Sequence, residues 1–213
     1  MYDYNVYKNK KSYRIWHCIF RFLAKTLFRI EVSGEENIGS KNFLLSVNHI
    51  SHIDFIFAPF SKKVNDVHFL AMSELFKKPL QAAFLKSLNC FPVERGNGKA
   101  NEAIEHAVNL LKKGFNAAIC PEGAINKTAP YNPLDAKSGV ARIALDSHAD
   151  VLPCCIYCKG KILPFKRIII SYGKPIPYEE LQNIFEKHNN HKIVAEYIFS
   201  KTKLMWEESA KNV

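Results

Sequence analysis

The tightest constraint on this chain is a set of short apolar runs separated by stretches of helical pattern. VLPCCIY at 151–157 carries no charged residue, and RIIISYG (167–173), FNAAIC (115–120) and KNFLLSVN (41–48) are similar in kind. Runs this short and predominantly apolar suit strands buried on both faces, as in a parallel sheet. Helical patterns fill the intervals at 53–60, 73–89, 99–113 and 138–147, and a charged helical segment runs from Tyr178 onward. In the third of these, Ile104, Ala107, Val108 and Leu111 share one face, and Gly114 is placed to cap it. Strands alternating with helices predict an α/β domain with a mixed, partly parallel sheet flanked by helices. In such a sheet the reactive residues are expected just beyond the C-terminal ends of strands.

The N-terminal region obeys a different pattern. The segment from 13 to 32 is apolar but is interrupted by Arg14, Arg21, Lys25 and Arg29, so it does not read as a membrane-spanning helix. Wound as a helix, it gathers those four cations within roughly a 60–80° arc. Trp16, Ile19, Phe20, Leu23, Leu27 and Ile30 fall opposite. A basic helix with an aromatic apolar face can lie in the headgroup plane of an anionic bilayer. We therefore expect residues 1–32 to be a membrane-associating segment, with Arg14, Trp16, Phe20, Arg21, Lys25 and Arg29 at the lipid, and 33–213 to form a single domain. The net charge of +10 agrees with an anionic partner. No nucleic-acid-binding signature accompanies it.

Six cysteines are present without the spacing of a secreted framework, and no cleavable signal pattern precedes them. Cys154, Cys155 and Cys158 raise the question of zinc. Two of them sit inside an apolar strand pattern and no second pair exists, so no metal is expected.

The chemistry is carried by VNHISHIDF at 47–55. A turn that returns Asp54 to His49 would let the carboxylate hold one ring nitrogen and leave the other as a base. His52 is a second candidate by type, and Ser51 is better suited to capping the next helix than to attack.

Three further blocks follow in order: CFPVERGN with Arg95 and Gly96, ICPEGA with Pro121, Glu122 and Gly123, and VLPCCI with Pro153. Together with Asn48, His49 and Asp54, they resemble the glycerolipid acyltransferase family that includes bacterial lysophosphatidate acyltransferases. The likeness spans roughly residues 30–180, with KSGVARIAL and YGKPIPYEEL as connecting segments.

The resemblance implies an α/β acyltransferase domain behind a membrane-associating helix, at the cytoplasmic face of the membrane as a peripheral or monotopic protein. It implies direct transfer of an acyl group from acyl-CoA or acyl-carrier protein to a lysophospholipid hydroxyl, first of all that of 1-acylglycerol-3-phosphate. His49 would be the base, Asp54 its partner, and no covalent acyl-enzyme or cofactor would be required. Asn48, Arg95, Gly96, Glu122 and Gly123 would bind substrate, with Arg95 on the phosphate. The family pattern is broken at Met72, where a lysine is common, and at Ala124 and Ile125, where Thr-Arg is usual. Asn126 and Lys127 are candidate compensations, and the alternatives are another acceptor, such as a lyso-aminolipid, or a non-catalytic lipid-surface-binding protein that keeps the fold.

Overall fold

The computed structural model describes residues 11–64, 66–94, 100–126 and 134–212. Its strands are β1 (Arg29–Ser33), β2 (Leu44–Val47), β3 (Val67–Met72), β4 (Cys90–Val93), β5 (Asn116–Ile119), β6 (Val151–Tyr157) and β7 (Arg167–Tyr172). Its α-helices are α1 (Lys11–Leu27), α2 (Asp54–Phe57), α3 (Pro79–Ser87), α4 (Asn101–Lys112), α5 (Gly139–Ser147), α6 (Tyr178–His188) and α7 (His191–Lys211).

The strands form one sheet in the order β1-β7-β6-β2-β5-β3-β4. β6, β2, β5, β3 and β4 run parallel, and β7 joins β6 antiparallel, carrying β1 parallel to itself at the edge. The mixed, mostly parallel sheet flanked by helices is the α/β fold expected from the sequence. β2 and β6, which pair at the centre, are buried along their whole length, as their predominantly apolar sequences suit.

Alternation along each strand feeds two cores. Leu45 and Val47 face the layer holding Ala24 of α1 and Phe57 of α2. Leu44 faces the opposite layer, with Ala107 and Leu110 of α4, Val140 and Ile143 of α5 and Ile198 of α7.

Four expectations need correction. The N-terminal helix does not continue to residue 32: α1 stops at Leu27, and Arg29 and Ile30 belong to β1. RIEVS carries a period-2 pattern that five residues cannot separate from a helical one. The free edge of β7 decides it, with Arg29 opposite Arg167 and a two-pronged Arg167–Glu31 ion pair at 2.6 Å. Strand β3 was not foreseen. The 73–89 stretch divides into a 3-10 turn at Ser73–Phe76 and α3, which begins at Pro79, a residue suited to a first helical turn. The helix expected over 53–60 shrinks to the four residues of α2.

Gly34, which follows β1, has φ +75°, and a Cβ there would lie 1.9 Å from the Tyr172 carbonyl oxygen. Only glycine fits that approach.

Candidate active site

β2 and β5 are neighbours, and the turns leaving their C-terminal ends hold His49 and Glu122 side by side. Asn48 is buried and turns away from solvent. Its amide donates to the Ile156 carbonyl at 2.9 Å and accepts from the Ile156 N–H at 2.8 Å. These bonds continue the β2–β6 ladder by one side chain and fix the point at which His49 leaves the sheet. Asn48 was expected at the substrate; its amide is engaged with β6 instead.

His49 Nδ1 lies 2.8 Å from Asp54 Oδ2. That oxygen also accepts from the N–H groups of Ile50 (2.9 Å) and Ser51 (3.0 Å), and Ser51 Oγ donates to Oδ1 at 2.7 Å. The carboxylate is 4% exposed. A buried acceptor bonded this fully holds one orientation. It selects the Nδ1–H tautomer and leaves Nε2 as the basic nitrogen. Ser51 is thus a holder of Asp54, and His52 is exposed.

Burial alone would lower the His49 pKa. The charges and hydrogen bonds of Cys120 and Asp54 outweigh that and raise it above the ordinary histidine range.

Glu122 is buried beneath His49. Its Oε1 accepts from the His49 N–H at 2.9 Å, and its Oε2 from Asn126 Nδ2 (3.2 Å) and the Leu134 N–H (3.3 Å). The Asn126 N–H donates to the His49 carbonyl at 2.8 Å. Both backbone groups of His49 are therefore held by the Pro-Glu-Gly turn and the residues after it. Gly123 has φ +68°, and a Cβ there would meet the Lys137 side chain at 3.3 Å. Lys137 is exposed and lies across the turn, a cation beside the site that sequence reading passed over. The contact is between segments remote in sequence, so spacing gave no signal for it. Met72 ends β3, next to β5 in the sheet. Arg95, Gly96 and Lys127 lie outside the described residues.

The three buried cysteines Cys154, Cys155 and Cys158 are free thiols on or just after β6, pushed to high pKa first of all by burial. Among the described residues, no three His, Cys, Asp or Glu side chains gather in a way that could hold a metal ion. A depression of about 410 Å³ lined by Lys41, Asn42, Asp150 and Tyr178 lies at the other end of the central strands, away from His49.

A model of the family described as Acyltransferase matches residues 29–157. The chain belongs to the acyltransferase family. Among its relatives is the 1-acyl-sn-glycerol-3-phosphate acyltransferase of Bacillus subtilis (strain 168), 30% identical over 168 residues, covering 74% of this chain and 79% of that protein. The enzyme of the same name from Streptococcus pneumoniae (strain ATCC BAA-255 / R6) is 26% identical over 149 residues, 68% of this chain. The match spans about half (53%) of the pneumococcal protein's length. The crystal structure of the 1-acyl-sn-glycerophosphate (LPA) acyltransferase PlsC from Thermotoga maritima superposes with a TM-score of 0.69 at 20% identity. It covers 96% of this chain and 84% of that one, so the two share a fold. The span matched by the family model runs from β1 through β6 and includes the His49–Asp54 pair and the Pro-Glu-Gly turn.

Proposed function

We propose that this protein transfers a fatty acyl group from an acyl thioester, acyl-CoA or acyl-carrier protein, to the free hydroxyl of 1-acylglycerol-3-phosphate, forming phosphatidate. The observation that carries the reading is the 2.8 Å His49–Asp54 contact at the C-terminal end of β2, with Nε2 left as the base. His49 takes the hydroxyl proton as the oxygen attacks a thioester carbonyl, and Asp54 stabilises the imidazolium that forms. A positioned base of this kind contributes ~10²–10⁴-fold in rate. The names of the Bacillus and pneumococcal relatives support lysophosphatidate as acceptor. Arg95, with Gly96, is assigned to its phosphate. Lys137 over Gly123 supplies positive charge where the family's Thr-Arg gives way to Ala124 and Ile125.

The same proposal places the protein on the cytoplasmic face of an anionic membrane. No helix among the described residues is long and apolar enough to cross one. α1 has three faces. Tyr13 and Ala24 are buried on the protein, and Trp16 and Phe20 pack against it, both meeting the ring of Phe84. These two half-buried aromatics dock the helix on α3. Arg14 pairs with Asp66 at 2.9 Å, and Arg21 lies over the Phe60 ring.

The remaining face is bare and apolar, with Ile15, Ile19, Phe22, Leu23 and Leu27 exposed. Leu80 and Phe84 of α3 extend it on one side. Leu163 and Phe165 extend it at the C-terminal end of α1, where the Phe165 N–H donates to the Leu27 carbonyl. Nine of the twelve exposed large apolar side chains among the described residues thus lie on this ridge, with Lys11, Lys25, Lys77, Lys78 and Lys166 nearby in sequence. A continuous apolar ridge with cations around it fits the headgroup–acyl boundary of an anionic bilayer. Phe20 also packs on Phe55, beside Asp54, so α1 adjoins the helix that carries the catalytic carboxylate.

The test is acyl transfer by the purified protein on anionic liposomes, with a thioester donor, a panel of lysolipids and His49→Ala as control. Transfer to lysophosphatidate that disappears in the variant supports the reading. Preference for a lyso-aminolipid replaces the acceptor. Equal background in both proteins, with the liposomes still bound, refutes catalysis.

A further inference from the structure

The loop that joins β6 to β7 reads KGKILPFK at 159–166. It leaves the sheet at the same end as His49, because β2 and β6 run parallel and the Asn48 side chain bonds to Ile156, near the end of β6. Its backbone is pinned at several points. The Phe165 N–H donates to the Leu27 carbonyl of α1 at 2.6 Å, the Lys166 N–H to the Leu163 carbonyl at 3.2 Å, and the Arg29 N–H to the Lys166 carbonyl at 3.0 Å. The Cys158 thiol lies 3.7 Å from the Lys161 carbonyl oxygen. Ile162 packs against the core and roots the loop there. Leu163, Pro164 and Phe165 are left outside.

Phe165 is at odds with both local preference and burial. Its φ is +67°. Outside glycine, left-handed backbone suits asparagine, aspartate and histidine. The other non-glycine residues at positive φ among the described ones are Asp66, Asn89, His148 and Asn189, all of those kinds. A phenylalanine there strains the backbone, and at 73% exposed it recovers little by packing. A residue that the fold disfavours on both counts has its use outside the fold.

Charge identifies the partner. Lys159, Lys161 and Lys166 are exposed around the apolar tip, and no acidic residue occurs between Asp150 and Glu179. Apolar side chains set among lysines match the boundary of an anionic bilayer, with the ring among acyl chains and the ammonium groups on lipid phosphates.

We propose that the β6–β7 loop is a membrane anchor in its own right, inserting Phe165 and Leu163 into an anionic bilayer in addition to the bare face of α1. This rests on the membrane placement given under the proposed function, and it assigns the strained Phe165 to lipid binding. The bond from Phe165 to Leu27 ties the loop to the end of α1, so helix and loop engage one surface. That surface lies at the end of the sheet where His49 emerges.

The test uses the full-length protein and vesicles of phosphatidylglycerol and phosphatidylcholine. Phe165→Trp is read as the difference from wild type, which already carries Trp16 and Trp206. Its added emission should shift to the blue on the vesicles and be quenched by brominated acyl chains. Phe165→Asn suits the left-handed backbone but cannot insert. Its melting temperature should equal or exceed that of wild type, while its affinity for the vesicles falls about tenfold. Leu163→Asn should weaken binding in the same direction. Lys161→Gln combined with Lys166→Gln should reduce the preference for phosphatidylglycerol several-fold. The sequence of α1 is untouched in every variant.

Wild-type affinity in Phe165→Asn overturns the anchor and leaves the membrane placement standing. So does an unshifted emission from Phe165→Trp on vesicles that bind it. A lower melting temperature in Phe165→Asn assigns the ring to the fold and also overturns the anchor. Wild-type protein that does not sediment with the vesicles overturns the anchor and the membrane placement together.

Discussion

Replacing Asp54 with asparagine keeps size and shape while changing the chemistry at a single oxygen. In the native site Oδ2 accepts from His49 Nδ1, the Ile50 N–H and the Ser51 N–H, within 2.8–3.0 Å, while Oδ1 accepts from Ser51 Oγ. An asparagine can satisfy the two backbone donors with its carbonyl oxygen, and its amide nitrogen then falls near Ser51 Oγ. The neutral oxygen still accepts from Nδ1–H but no longer stabilises an imidazolium. With the amide reversed, its N–H faces Nδ1 and forces the other tautomer, which puts the proton on Nε2 and removes the base. Loss of tautomer control beside a catalytic imidazole costs up to ~10⁴-fold in kcat. Loss of charge stabilisation alone removes ~10²-fold, or ~2.7 kcal/mol of transition-state free energy. We expect Asp54→Asn to fall 10²–10⁴-fold in kcat with little change in KM. Loss of charge-assisted bonds should cost ~1–3 kcal/mol in stability. The pH profile supplies an independent check. Asp54 is one of the groups that raise the His49 pKa, so the wild-type rate should fall in acid with a midpoint above the ordinary histidine value near 6.5. The residual activity of the variant should show that limb displaced toward lower pH. The assay is a pH series of initial rates on anionic liposomes, with urea unfolding in parallel. A variant that keeps more than a tenth of wild-type kcat, or whose acid limb does not move, refutes the assignment of Asp54.

Asn48→Ala should destabilise the protein by ~2–4 kcal/mol, because it strands the buried Ile156 N–H and carbonyl, and urea denaturation measures this. Gly34→Ala should destabilise by more than ~2 kcal/mol or prevent folding, since its Cβ would overlap the Tyr172 carbonyl, and thermal unfolding reports it. His17, half-buried on α1 and near Arg21, has its pKa lowered to about 4, burial being the main cause. A depressed histidine keeps its full stabilising effect above the unfolded value near 6.5 and loses it as pH falls toward the folded value. Stability should therefore decline between pH ~6.5 and ~4, and His17→Phe should flatten that decline in a pH series of melting temperatures. Leu80→Asp, on α3 and 87% exposed, should leave folding intact yet weaken sedimentation with anionic liposomes several-fold, and undiminished binding would remove α3 from the membrane surface.

Much of this protein is written locally. The apolar run at 151–157 could be nothing but a buried strand, and β6 occupies those residues from end to end. The amphipathic pattern near 99–113 gave α4, closed by the left-handed Gly114. His49 and Asp54 were legible because a five-residue turn brings them together without help from the rest of the chain. What local signals could not settle is which side of an element meets which neighbour. Residues 29–33 fit a helix or a strand equally well until β7 offered a free edge. Trp16 and Phe20 belong to the apolar half of α1 by angle, but α2 and α3 draw them inward, and the bare surface shifts to Ile15, Ile19 and Phe22. The engagement of Asn48 with β6 and the cradle of Glu122 under His49 join residues 108 and 73 positions apart. Hydrogen bonds and packing across a parallel sheet are set by strand order, and strand order comes from the global burial of apolar surface. The sequence by itself determined the buried central strands, α4 and the reactive pair. The tertiary structure decided what surrounds that pair, because only the assembled sheet brings its neighbouring turns within hydrogen-bonding distance.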